Sequence, residues 1–348
     1  MDETFIASLQ LDADALDRRS LQQREDALRG MQWTSVSSSF ESDAAAYSGL
    51  GQEHAQPVGE LRKLCHSPLL RFFYFMLKSM WVMINQETNV YSLQQVDRRA
   101  QAIQSRQAKQ ADRRQETLKN IRRRLRAKPA YQTHEVLHVV GLLVARMLCP
   151  QKRFPAHWSM VEDGAVPAGN FGRFMARNRC QDILRDLHFV DNQGERNRDK
   201  LWKLRPVISR VQQRFLVGWS LPTVFSFNEG VLPATSKRNT TRMFMPDKPH
   251  RNGTKMFMTC DSRTAYCHRF EMYAGKRHTE EVGSSSFDHK RGTAAVVRNL
   301  KLIRGESDRQ RWHAVVIDRY YSSILLAIEL LKMNVYVVGT IMVNARVQ

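Results

Sequence analysis

The stretch VFSFNEGVLP, residues 224–233, decides how the chain is read. Val224, Phe225 and Phe227 form a short apolar run that ends in Asn228-Glu229-Gly230. Aromatic and β-branched residues over so few positions, closed by glycine and proline, read as a strand with a polar pair near its end. A carboxylate at such a strand end can hold a hard divalent cation, because Mg²⁺ prefers anionic oxygen. Position 228 instead carries a neutral amide.

Downstream, the same pattern recurs. TKMFMTCDS (254–262) and YCHRFEMYAG (266–275) read as two more strands, with turns at Asn252-Gly253 and Asp261-Ser262. TAAVVRNLKLI (293–303) is helical, and WHAVVIDRYY (312–321) is a strand whose apolar run Ala314 to Ile317 ends in Asp318. SSILLAIELLKM (322–333) is a helix with Ser322 or Ser323 as its N-cap, and VYVVGTI (335–341) is a last strand. The order β-β-β-α-β-α-β predicts a mixed sheet flanked by helices. An exposed apolar face is expected near Val335, Tyr336 and Val338.

Charge points to the partner. The 348 residues carry Lys+Arg 54 against Asp+Glu 34, a net of +20. Such an excess favours a polyanion, most often nucleic acid. Cys65, Cys149, Cys180, Cys260 and Cys267 are odd in number and widely spaced, with no CxxC. This argues against a disulfide framework or a cysteine zinc site, and predicts buried free thiols in a reducing compartment. The apolar stretch 69–84 contains Arg71 and Lys78 and is too short to span a bilayer comfortably, so no membrane partner is expected. The polar, acidic N-terminus does not resemble a secretory signal.

Three regions are expected. Residues 1–60 hold four basic and eleven acidic side chains, a net of −7, and read as a disordered acidic arm. Residues 61–200 are helical and suit dimerisation and DNA binding, beginning with a helix pair over 61–95. Within this region, residues 97–128 hold twelve basic and three acidic side chains with no Pro or Gly, which predicts one long basic helix. Its densest cluster, Arg122, Arg123, Arg124 and Arg126, suits DNA backbone contact and overlaps a nuclear-import pattern, so a nuclear location is expected. His134, His138 and His188 lie in helical stretches and read as satisfied structural residues. Residues 201–348 form the β-rich core.

Several motifs together resemble the piggyBac-type transposases and their transposable-element-derived relatives. They are QETNVYS (86–92), FGRFMARNRCQDILRDLHFVDN (171–192), KLRPVISRVQQRF (203–215), the run from Ser226 to Phe257 with its Met245–His250 segment, FEMYAGK (270–276) and VVIDRYYSS (315–323). The resemblance runs from about residue 61 onward and implies an α+β chain: an N-terminal helical region followed by a truncated ribonuclease-H-like mixed sheet. It implies a cut-and-paste DNA transposase ancestry with Mg²⁺ held by three aspartates. The first of these positions matches Asn228 and the second matches Asp318; the third would lie beyond residue 348. Asp318 is then the one remaining metal ligand, and no cofactor is expected. Glu229 should face away from Asn228 because side chains alternate along a strand, and Asp261 reads as a turn residue.

Lys237, Arg238, Arg242, Lys248, His250, Arg251 and Lys255 crowd the segment after Asn228, with Arg319 beside Asp318. They suit phosphate contacts, which give salt-sensitive and largely sequence-independent affinity. The implied protein is a catalytically inactive transposase relative that binds DNA, with a homodimer as its assembly and no small-molecule substrate. The alternatives are an active transposase whose site is completed by a partner chain, or a non-enzymatic interaction protein.

Overall fold

Strand formation at residues 224–233 follows from alternation: Phe225 and Phe227 are buried, Ser226 between them is only partly covered, and Asn228 is exposed. The structure is a computed structural model that describes residues 49–109, 115–162, 167–192, 199–234, 238–246, 248–273, 292–305 and 310–340, with a few isolated positions outside these ranges. The helices are α1 (Gly59–Lys63), α2 (Pro68–Phe75), α3 (Lys78–Gln94), α4 (Val96–Ala108), α5 (Leu118–Arg126), α6 (Thr133–Leu148), α7 (Arg177–Asp186) and α8 (Arg205–Gly218). They are followed by β1 (Val224–Pro233), β2 (Met243–Phe244), β3 (Asn252–Asp261), β4 (Cys267–Met272), α9 (Gly292–Arg304), β5 (His313–Ile317), α10 (Ile324–Leu331) and β6 (Val335–Gly339). The expected order is present, with the two-residue β2 added.

The chain divides into two compact units, one of residues Phe72–Arg210 and one in which the segment up to Arg71 joins residues from Val211 onward. In the second, the sheet runs β2-β3-β1-β5-β6, with β4 also on β3. β1 is antiparallel to β3 and parallel to β5, and β5 is parallel to β6. The two parallel pairs need helical crossovers, which α9 and α10 supply. Their apolar faces meet the sheet in one core that includes Phe225, Phe227, Phe257, Leu300, Tyr321 and Leu326. Full burial of each such side chain stabilises by about 1.5–3 kcal/mol. Ser323 rather than Ser322 caps α10, accepting from Leu326 N–H at 3.2 Å.

Three expectations change here. The turn foreseen at Asn252-Gly253 is instead the start of β3, and a Cβ on Gly253 would stand 2.3 Å from the Leu232 carbonyl oxygen. Glycine serves close strand approach there, not a turn. The arm expected over residues 1–60 falls largely outside the described residues, but its last part lies along the core: Leu50 bridges Trp312 and Pro57 bridges Trp219. Trp312 in turn stacks on Tyr336 at 4.6 Å. Val335 is fully buried and Tyr336 partly covered, so only Val338 of the expected apolar face is exposed.

The other unit has its own core, with Met80, Trp81, Ile84, Tyr131, Val139, Phe171 and Ile183. The single long basic helix is not formed. α4 closes at Ala108, and α5 starts afresh at Leu118, where Thr117 accepts from Asn120 N–H at 3.3 Å. Ile121 is fully buried on α5 and Ala100 on α4, and Arg122 pairs with Asp97 at 2.6 Å, so the two helices pack as a pair. Burial of one apolar stripe outweighs the continuous helix that propensity favours. No described helix is long and apolar enough to cross a membrane; the stretch 69–84 is broken between α2 and α3.

Of the cysteines, only Cys180 is buried. Cys65 and Cys149 are exposed, and Cys260 and Cys267 are partly buried, which corrects the expectation of buried thiols throughout. No disulfide links the described cysteines.

Candidate functional site

β1 and β5 run parallel, with Val224 opposite Ala314, Phe225 opposite Val315 and Ser226 opposite Val316. Continuing this offset by two residues brings Asn228 level with Asp318. Val316 and Asp318 are exposed while Val315 and Ile317 are buried, so Asp318 lies on the face away from the core, as Asn228 does. Both residues are thus exposed on the open face, at the same level when the register is extended past its last pair, Ser226 with Val316. Asn228 Oδ1 accepts the Glu229 N–H at 2.8 Å. Asp318 Oδ1 accepts the Tyr320 N–H at 2.9 Å, and its main-chain oxygen accepts from Tyr321 N–H at 3.1 Å and Ser322 Oγ at 3.0 Å. These bonds fold the residues after β5 into a tight turn that fixes Asp318 at the strand end.

Glu229 takes the opposite face, as alternation requires. Its carboxylate accepts the Tyr321 hydroxyl proton at 2.5 Å, with Lys248 Nζ at 3.5 Å and Lys255 Nζ at 3.9 Å. Burial raises the Glu229 carboxyl, but the Tyr321 hydrogen bond and the charges of Lys255 and Lys248 outweigh it and hold it below the usual range. Burial, then the Glu229 carboxylate, pushes the Tyr321 phenol upward. This link between strand and turn escaped the sequence reading. Glu229 and Tyr321 are 92 positions apart, and nothing local marks them as partners.

Other nearby acids have structural partners. Asp261 accepts from Arg263 N–H at 3.0 Å and Thr264 Oγ1 at 2.5 Å, closing the β3–β4 turn as expected. Glu271 pairs with Arg298 at 2.7 Å and Asn299 at 2.9 Å on α9. Among the described residues, no group of three or more His, Cys, Asp or Glu is arranged to hold a metal ion.

Does the Asn228–Asp318 pair fit the two Mg²⁺ ions of this fold's nucleases? Near a protein surface a pair of unit charges at 4 Å interacts by about 4 kcal/mol. One carboxylate therefore attracts each divalent ion by about 8 kcal/mol, while two such ions 4 Å apart repel by about 16 kcal/mol. A two-ion cluster on Asp318 alone gains nothing before dehydration is counted, and Mg²⁺ dehydrates reluctantly. Among the described residues, the set at this strand end does not fit that cluster.

The basic residues after Asn228 lie on the β1–β3 connection and the start of β3. Lys237 falls outside the described residues. Arg238, His250 and Arg251 are exposed. Arg242 Nε donates to Asn252 Oδ1 at 3.1 Å, and Lys248 and Lys255 are the Glu229 partners already described. The loop is braced: Thr241 Oγ1 meets Thr254 Oγ1 at 2.8 Å, and Met245 N–H donates to Arg251 O at 2.7 Å. In the helical unit, Arg122 and Arg124 are engaged by Asp97 at 2.6 Å and Glu116 at 3.3 Å, while Arg123 and Arg126 are exposed in the last turn of α5. Part of that cluster is thus occupied inside the protein.

A family model described as Transposase IS4 matches residues 67–347. This chain belongs to the piggyBac transposase family. It is 30% identical over 172 residues to PiggyBac transposable element-derived protein 3 of Homo sapiens, covering 48% of this chain and 27% of that protein. The same identity over the same length relates it to the chimeric ERCC6-PGBD3 protein of Homo sapiens, of which 15% is covered. Its fold is similar to that of piggyBac transposase in a cryo-EM synaptic complex with hairpin DNA, with a TM-score of 0.61, 21% identity, and coverage of 84% of this chain and 54% of that one. The piggyBac-family chain thus spans about half of the solved transposase chain and about a quarter of the curated relative. Its sheet has the ribonuclease-H-like order that the motifs implied.

Proposed function

We propose that this piggyBac-family protein binds DNA without cutting it. The reading rests on the β1–β5 register, which, extended past Ser226 and Val316, sets the exposed Asn228 level with the exposed Asp318. A neutral amide stands where a second carboxylate would be needed to hold divalent ions against their mutual repulsion. Strand cleavage and transfer need two ions about 3.5–4 Å apart to activate the attacking oxygen and stabilise the leaving one. Asp318 alone does not supply that.

DNA contact rests on other residues. Arg238 and Arg251 present exposed positive groups on a braced loop beside the exposed His250, and Arg123 and Arg126 present two more on α5. Guanidinium and ammonium groups meet phosphates at the expense of condensed counterions, so such binding weakens as salt rises. The similar solved transposase was captured with hairpin DNA, which supports the same ligand class here. A nuclear location and self-association as a homodimer belong to the same reading.

The test is a fluorescence-anisotropy titration of the full chain with a short duplex at two salt concentrations, with and without Mg²⁺. The expected result is binding that falls steeply with salt and is indifferent to Mg²⁺. Absence of binding at low salt, or cleavage of the duplex once Mg²⁺ is added, would reject it.

A further inference from the structure

We propose that Cys260 and Cys267 form a redox-active dithiol that closes to an intramolecular disulfide, making the β3–β4 hairpin a modification site. The two residues are direct cross-strand partners. The neighbouring pair is marked as hydrogen-bonded, because Asp261 N–H donates to the Tyr266 carbonyl at 2.8 Å. In an antiparallel ladder such pairs alternate, so Cys260 and Cys267 take the closer, non-hydrogen-bonded position, for which a regular ladder sets Cα atoms about 4.5 Å apart. That spacing lies within the range a disulfide bridges without moving the backbone, about 4.4–6.8 Å. Partners in a ladder also point to the same face.

Local irregularity holds the pair in register. The ladder shifts between Thr259 and Cys260: Thr259 faces Arg269, and Cys260 faces Cys267, so His268 is the extra residue of a bulge. His268 is fully buried, stacked edge-on to Tyr266 at 5.0 Å, which pins the bulged strand. Both thiols are partly exposed, unlike Cys180, so a small oxidant can reach them.

The thiols are not equivalent. The Cys267 S–H donates to the Arg269 carbonyl at 3.3 Å, and the neighbouring Cys267 thiol holds the Cys260 thiol below its usual value, against burial and the charge of Asp261. Cys267 is pushed upward by the neighbouring Cys260 thiol and by burial. Thiolate is the attacking species in disulfide exchange. With oxidised glutathione as oxidant, the Cys260 thiolate attacks one glutathione sulfur, forming a mixed disulfide and releasing one glutathione thiolate. Cys267 then gives up its proton and attacks the Cys260 sulfur, expelling the second glutathione thiolate. The protein loses two protons and two electrons, and one oxidised glutathione becomes two reduced ones.

The first test uses the unaltered full chain. The protein is equilibrated in glutathione buffers of graded oxidation, alkylated and digested with trypsin. Arg263 lies between the two cysteines and Lys255 and Arg269 flank them, so the disulfide is read as a joined pair of peptides, 256–263 with 264–269. The expected result is that this joined pair accumulates as the buffer becomes oxidising and vanishes when reduced glutathione is restored. A second reading uses phenylarsine oxide, which bridges paired thiols: it should protect Cys260 and Cys267 together from alkylation, and Cys260→Ser should abolish protection of Cys267. Separate alkylation of both cysteines at every buffer ratio would overturn the proposal. Preferential bridging of either to Cys65, Cys149 or Cys180 would overturn it equally.

Discussion

The Tyr321 hydroxyl donates to the Glu229 carboxylate at 2.5 Å, tying the turn that carries Asp318 to the strand that carries Asn228. Tyr321 is fully buried, and its ring also meets Phe227 edge-on at 5.1 Å. The relationship explains why the open face of the sheet is shaped from behind: a bond on the core side sets the geometry of the two residues on the other.

Tyr321→Phe keeps the ring packing and removes only the donor. A half-buried carboxylate then loses a charge-assisted hydrogen bond, which costs about 1.5–3 kcal/mol. A urea titration should show a lower midpoint with an unchanged slope. An unaltered midpoint would mean that Lys248 and Lys255 alone satisfy Glu229.

Stability of the helical unit should depend on acid through Asp186. Its side chain is fully buried and receives Tyr131 Oη at 2.7 Å and Arg185 Nε at 3.0 Å, together with a bidentate bond from Arg99. Burial raises this carboxyl, but Arg185, Arg99 and Tyr131 outweigh it and bring it to about 2. A folded value below the unfolded one adds stability that is complete above the unfolded value and is lost as protons bind the folded form. The contribution, about 2 kcal/mol, should therefore be present at neutral pH and fade as pH falls from about 4 to 2. Thermal melts across that window check it. Asp186→Asn should flatten the dependence and cost about 3–5 kcal/mol at neutral pH, because Arg99 is left without its counter-charge.

How much of this was legible in the sequence follows from what each feature depends on. Strands β1, β3, β4, β5 and β6 announce themselves because alternation and apolar runs are local. Asn228 and Asp318 could be singled out because each ends such a run. Their common face depends on the parallel pairing of β1 with β5, which residue spacing does not encode. The break between α4 and α5 was hidden for a related reason: the segment has no proline or glycine, and the packing of Ile121 and the Thr117 cap at the start of α5 are not marked in it. The Asp186 network and the Glu229–Tyr321 bond join positions far apart in the chain. Half of the Arg122–Arg126 cluster looked free because Asp97 and Glu116 reach it only after folding.

Phosphate contact should be divisible by residue. Arg238→Ala and Arg251→Ala remove exposed charges outside the core. Each lost phosphate contact should weaken duplex binding for all sequences alike and reduce the salt slope by about one. Arg122→Ala, whose guanidinium is engaged with Asp97, should change the slope less. Equal slopes for all three variants would place the DNA elsewhere on the protein.

Asn228→Asp sets two carboxylates side by side. Without divalent ions they repel, and the melting temperature should drop; with Mg²⁺ it should recover. The same substitution should not restore strand transfer, since no third carboxylate joins Asn228 and Asp318 among the described residues. Recovered strand transfer in this variant would contradict that expectation directly.

The central claim, that the residue at position 228 disables metal binding, is tested most directly by a Mn²⁺ titration followed through water-proton relaxation, comparing the unaltered chain with Asn228→Asp. No ordered site should form in the unaltered chain at millimolar Mn²⁺, and a saturable site should appear once the second carboxylate is present. Equal, tight binding of two ions by both proteins would show that the site is intact without an aspartate at this position, and the account would fall.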